Sequence, residues 1–142
     1  MESVKTVLAA LALLLAGCRT RHTSLAADVD PSEWADTVEI VLPNTDTLTR
    51  CDLSLYLRFD ERFRDDSLTL HVEVRTPDSL SYEAPFLFCV PHLRKPAAVR
   101  SEAVADYRKR VRLAREGDSR VLIVPARPVT GVEAVGLYVE RD

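Results

Sequence analysis

The 142-residue sequence holds only four glycines, and they are scattered. No glycine-rich phosphate cradle can be assembled from them. No Gly-x-Ser-x-Gly elbow is present either, so familiar signatures of nucleotide binding and serine hydrolysis are both missing. Histidine is as scarce: His22, His71 and His92 stand at no i, i+2 or i, i+4 spacing from one another, and the single such spacing from a cysteine, Cys18 to His22, is a lone pair. A metal centre needs ligands in register, so each reads as a surface histidine and no metal site is expected. The carboxylate pairs Asp60-Glu61 and Asp65-Asp66 lack EF-hand spacing, and solvated loop charge is the better account of them. No nucleophile or acid–base constellation emerges, so neither enzymatic activity nor a cofactor is expected. Sustained helical periodicity, internal repeats and low-complexity tracts are absent as well. A formal net charge of −3 argues against a nucleic-acid partner.

What is present begins at the amino terminus. Lys5 supplies a modest positive region, and residues 7–15 are an unbroken run of Val, Leu and Ala. That run has the length of a signal-peptide core and is too short to cross a bilayer. Leu15-Ala16-Gly17-Cys18 follows, the order of a bacterial lipobox, in which the cysteine thiol is alkylated with diacylglycerol and the chain is cut before it. Residues 1–17 are therefore read as a lipoprotein signal peptide and Cys18 as the lipidation site, with several acyl chains giving stable attachment where one would be marginal. Arg19, Thr20, Arg21, His22, Thr23 and Ser24 include no Asp of the inner-membrane retention type and no acidic export cluster. The expected location is the outer membrane, facing the periplasm.

Removing residues 1–17 of the 142 leaves 125 residues, enough for one domain with a real core. Residues 18–33 read as a lipidated tether and 34–142 as the domain. Residues 36–42, 51–59 and 68–74 alternate apolar and polar side chains, the signature of half-buried strands. In residues 84–90, Phe86, Leu87, Phe88, Cys89 and Val90 leave neither face polar, which predicts a central strand covered on both sides. Residues 93–106 read as a long connection with a helical turn over 101–106. Residues 107–113 and 120–124 flank Glu116-Gly117-Asp118 like the arms of a hairpin. Residues 134–140 form the last strand. The sum is an all-β antiparallel sandwich of about seven to eight strands behind a signal peptide and short tether.

Charge is unevenly distributed. Between residues 28 and 83 acids outnumber bases by 14 to 5, whereas between 94 and 127 bases outnumber acids by 10 to 4. Such polarity can steer a partner, although interleaving of the two halves in a sandwich would erase it. Within the basic half, Arg108, Arg110 and Arg112 would share one face of a strand, where they could meet anionic headgroups or an acidic partner, or simply charge an edge. Cys51 and Cys89 occupy apolar strands in a compartment that permits a disulfide; bridged and free states are both compatible with their spacing. Trp34, the single tryptophan, either packs the tether onto the domain or serves as an interaction anchor.

The closing segment, Val129-Thr130-Gly131-Val132-Glu133-Ala134-Val135-Gly136-Leu137-Tyr138-Val139-Glu140, resembles the end of the gliding-motility lipoprotein GldH family of Bacteroidota. That pattern is a Gly-Val or Gly-Ile loop followed by a Gly-Leu/Ile-x-Val/Ile-Glu strand. The lipobox and a tryptophan shortly before the first strand are similar too, whereas residues 94–106 depart from a Gly/Asp-rich stretch. The resemblance implies a non-catalytic envelope lipoprotein of a gliding apparatus, working through protein–protein contacts in a complex. It supplies no catalytic residues. The alternative is a periplasmic or surface lipoprotein whose sandwich binds a glycan or peptide through Trp34.

Overall fold

A computed structural model of the chain describes residues 21–90 and 100–141. Residues 1–20, with the run read as a signal peptide and Cys18 read as the lipidation site, lie outside the described residues, as does His92. Eight strands are present: β1 (Arg21–Asp28), β2 (Val38–Asn44), β3 (Arg50–Asp60), β4 (Ser67–Arg75), β5 (Ser81–Cys89), β6 (Arg100–Arg112), β7 (Gly117–Pro125) and β8 (Val132–Arg141). They form two four-stranded antiparallel sheets, in the orders β1-β8-β3-β6 and β2-β7-β4-β5. The all-β antiparallel sandwich is thus the architecture. Its strand order is that of a jelly roll: β1 pairs with β8, β2 with β7, β3 with β6 and β4 with β5, as if one long hairpin had been rolled up.

The inner faces follow from the alternation. Leu53, Leu55, Leu57 and Phe59 of β3 meet Leu68, Leu70 and Val72 of β4, with Val135, Leu137, Val139, Val121 and Ile123 completing a continuous buried cluster. Strict period two puts all of these side chains on one face of their strands, so neither sheet can slip its register without turning the core outward.

Four expectations are corrected. Residues 21–28, read as part of a structureless tether, pair along their whole length with β8, so the sandwich starts at Arg21 rather than at residue 34. Leu25, Ala27 and Val29 point their half-buried side chains at the core. Second, β5 is an edge strand, paired only with β4. Pro85 suits an edge, where a missing N–H costs no ladder bond, and Leu87 on the outer face is 59% exposed. Third, residues 100–106 continue β6 as strand, with Ala103 buried and Ala105 half-buried facing inward. Fourth, β6 and β7 belong to different sheets, so residues 113–116 arch from one layer to the other instead of closing a hairpin. Among the described residues, the turn between β4 and β5 is the one that joins paired neighbours, held by Thr76 N donating to Leu80 O at 2.8 Å and by the Thr76 hydroxyl.

Asn44 ties the arch down. Its side-chain amide donates to the carbonyls of Leu113 and Arg115, both at 2.9 Å, and its oxygen accepts from Arg141 at 3.1 Å. Asn44 is almost fully buried. Replacing it with Ala strands two carbonyls and a guanidinium group, and should lower the unfolding free energy by about 2–3 kcal/mol in a denaturant titration.

Candidate functional site

The outer face of the first sheet carries the most organised arrangement of polar and aromatic side chains. Its origin is Gly136, in the middle of β8, which leaves the outer surface bare at that point. The residue directly across on β3 is Tyr56, and its ring lies over the gap. A Cβ at position 136 would collide with Cζ, Cε1 and Oη of Tyr56. An aromatic ring laid over a cross-strand glycine is a recognised way of protecting a weak point in a sheet. Tyr138, two residues on, stacks on Tyr56 with ring centroids 4.4 Å apart and planes 25° from parallel. The Tyr138 hydroxyl donates to Glu102 of β6, which links β8, β3 and β6 across the sheet.

That hydrogen bond to a carboxylate, helped by burial, pushes the Tyr138 hydroxyl up to about 12. Raised above the ordinary value of 10, this group contributes stability that is complete below pH 10 and disappears as pH rises through about 12. Tyr138→Phe should therefore flatten the alkaline limb of a stability-versus-pH curve and remove the tyrosine that ionises near 12 in an absorbance titration.

Beside the tyrosines lies a shallow groove of about 250 Å³, lined among others by His22, Asp52, Ser54, Val104, Tyr138 and Glu140. Register places His22, Glu140 and Asp52 in one row across β1, β8 and β3. Asp52 is engaged, accepting from the backbone N–H of Arg110 at 2.7 Å. Among the described residues no group of three or more His, Cys, Asp or Glu is placed to hold a metal ion. The groove is open and rich in acceptors, suited to hydrogen bonding with a surface laid against it.

The residues singled out from sequence are dispersed. Trp34 is 2% exposed; it bridges Val129 by two backbone hydrogen bonds, and its indole N–H donates to Asp36 O at 2.7 Å. No face of the ring is offered to a ligand. Cys51 and Cys89 are both free thiols, on different sheets, Cys51 buried and Cys89 exposed. Phe88 and Val90 take the inward positions around Cys89, so alternation turns its thiol outward, away from any bridge to Cys51. Burial pushes the Cys51 thiol up, opposite to what a reactive thiolate requires.

Arg108, Arg110 and Arg112 are all exposed but do not form a row. The pairing of β6 with β3 slips twice, between Cys51 and Leu53 and between Leu53 and Ser54. Arg110 adopts a left-handed φ of 55° in this irregular stretch. Arg108 instead lies over the Tyr107 ring, 4.7 Å from its centroid. The charge asymmetry along the chain is offset in part on folding, since Arg120 pairs with Glu39 at 2.7 Å, Arg127 with Asp65 at 2.6 Å and Arg115 with Asp78 at 3.4 Å.

Sequence reasoning missed the Tyr56–Tyr138–Glu102 unit. The signal available was a glycine in the middle of an otherwise apolar strand, which often marks close approach by another group; its aromatic partner lies 80 positions away and is fixed only by register. No protein-family model matches the chain, and no characterised protein matches it either.

Proposed function

We propose that the chain is a lipid-anchored envelope lipoprotein whose jelly roll acts as a non-catalytic contact module in a protein complex, held to the outer membrane on its periplasmic side. The observation that carries this reading is Leu15-Ala16-Gly17-Cys18, followed after only two residues by the first strand at Arg21. A folded domain joined directly to an acylated cysteine is a body made to be held at a membrane. The resemblance of the closing segment to the gliding-motility lipoprotein GldH family points to an apparatus of that kind. The dispersal of the candidate side chains and the open outer face of the first sheet support binding over catalysis. The glycan- or peptide-binding alternative loses its anchor with Trp34 buried.

The test is recovery of the acylated protein from native membranes together with whatever it holds. A reproducible set of envelope proteins is expected, lost along with membrane attachment when Cys18 is replaced by Ala. If Cys18→Ala leaves both attachment and phenotype intact, the reading is wrong.

A further inference from the structure

All four strands of the first sheet end in arginine on the same side of the molecule. β1 begins at Arg21, β3 begins at Arg50, β6 ends at Arg112 and β8 ends at Arg141. Register sets them on two adjacent rows: Arg21 faces Arg141 across the β1–β8 pair, and Arg50 faces Arg112 across the β3–β6 pair. Like charges directly opposite one another across a sheet are unfavourable; the two pairs leave the sheet on opposite faces, and of the four arginines only Arg141, held by Asn44, has an account in stability. Among the described residues Arg21, Arg50 and Arg112 form no ion pair, and all three are exposed. Several acids at this end are already engaged: Asp78 by Arg115, Glu73 by Arg75, and Asp46 by the backbone N–H groups of Leu48 and Thr49. Asp52 and Glu140 stand one row in from the arginines, Asp52 taken by the Arg110 N–H; Glu116 and Asp118 stand at the arch and the start of β7, beside the second sheet, so the last row of the first sheet is its basic edge.

We infer that this arginine rim seats on anionic phospholipid headgroups and fixes the domain upright on the membrane that holds it. The inference rests on the reading of Cys18 as the lipid anchor. Arg21 lies three positions after Cys18, a reach of about 10 Å at full extension. The rim is thereby kept within roughly one Debye length of the bilayer surface, where an arginine near anionic lipid adds about fivefold to membrane partitioning. Arg21, three positions after the anchor in sequence, stands in the rim, so the two act together: the acyl chains hold the domain close, and the guanidinium groups choose which end faces the lipid.

Cys89 provides a native handle for the test. It is exposed, whereas Cys51 is buried, and it ends β5 at the opposite end of the sandwich, about 25–30 Å along the strand direction from the start of β5. The full acylated protein, carrying a donor dye on Cys89, is reconstituted into vesicles with acceptor-labelled headgroups. One set contains phosphatidylglycerol and the other only phosphatidylcholine. Low energy transfer is expected in the anionic vesicles, because the dye is held far from the surface. Transfer should rise in the neutral vesicles, at high salt, and in the triple variant Arg21→Gln, Arg50→Gln, Arg112→Gln. A control triple variant, Arg58→Gln, Arg64→Gln, Arg127→Gln, should behave as the unsubstituted protein. Equal transfer in anionic and neutral vesicles, or an equal shift in both triple variants, overturns the inference. So does a rim variant that loses a co-purifying acidic protein with no change in dye height. The intact mass of each preparation reports acylation independently. If Cys18 proves unmodified, the anchor reading fails, and co-sedimentation of that same chain with the two vesicle types still judges the rim. Binding confined to anionic vesicles and lost in the rim variant upholds it, and absence of binding overturns it.

Discussion

Replacing Trp34 with Ala should destabilise the protein by about 3–5 kcal/mol, enough to threaten folding of a domain this size. The indole is buried where the β1–β2 connection crosses the loop that leads into β8, and its N–H satisfies Asp36 O. Truncation removes the largest apolar surface available from one side chain, leaves a cavity and strands a carbonyl. Equilibrium denaturation measures the loss. A Trp34→Phe variant, which keeps most of the ring, should recover much of it, whereas a tryptophan used to stack on a ligand would leave stability almost unchanged when removed.

Gly131→Ala should be of comparable severity, about 3 kcal/mol or more, for reasons of backbone rather than burial. Gly131 has a φ of +91°, which side-chain-bearing residues rarely adopt. An added Cβ would also strike the backbone nitrogen of Phe63 and come within 2.8 Å of Asp60 Oδ1 and 2.9 Å of Arg62 C. A flexible side chain could move aside; the β3–β4 connection cannot. Gly131 N donates to Pro31 O and Gly131 O accepts from Asp60 N, both at 2.8 Å, so one glycine fastens two loops to the start of β8. Trp34 and Gly131 meet the same junction, through Val129 and Pro31, so the double variant should lose less than the sum of the two single losses. Additivity within a few tenths of a kcal/mol would show that the junction is not one unit.

How far the fold could be read from sequence depended on each strand having one polar face. β3 and β4 were legible because Asp52, Ser54 and Arg58, and Thr69, His71 and Glu73, break up the apolar positions at every second residue. β1 escaped because Leu25 and Ala27 are its inward residues on a strand otherwise made of small and polar side chains, and alanine carries little strand signal. The start of β6 was hidden in the same way by Ala103 and Ala105. In β5 the failure ran the other way: Leu87 is apolar yet points to solvent, so an edge strand imitated a central one. Pairing was out of reach altogether. In a jelly roll most partners are distant in sequence, and the hairpin expected around Gly117 is an arch because β7 finds β2 and β4 rather than β6.

The same limit applies to the candidate sites. Arg108, Arg110 and Arg112 drew notice as neighbours in sequence, but two slips in register break the face they would have shared. Arg21, Arg50, Arg112 and Arg141 are scattered along the chain and become neighbours only when four strands end together. Tyr56 and Tyr138 likewise meet through Gly136, not through any spacing in the sequence. What can be read locally is a motif such as Leu15-Ala16-Gly17-Cys18, whose proposed role as a lipobox depends on adjacent residues alone.

Attachment through Cys18 is therefore the claim on which the functional reading turns, and the mass of the amino-terminal peptide from membrane-purified protein tests it directly. The expected result is a chain that starts at Cys18 and carries a diacylglycerol on its thiol. A chain that retains residues 1–17, is cut elsewhere, or begins with an unmodified Cys18 would contradict it.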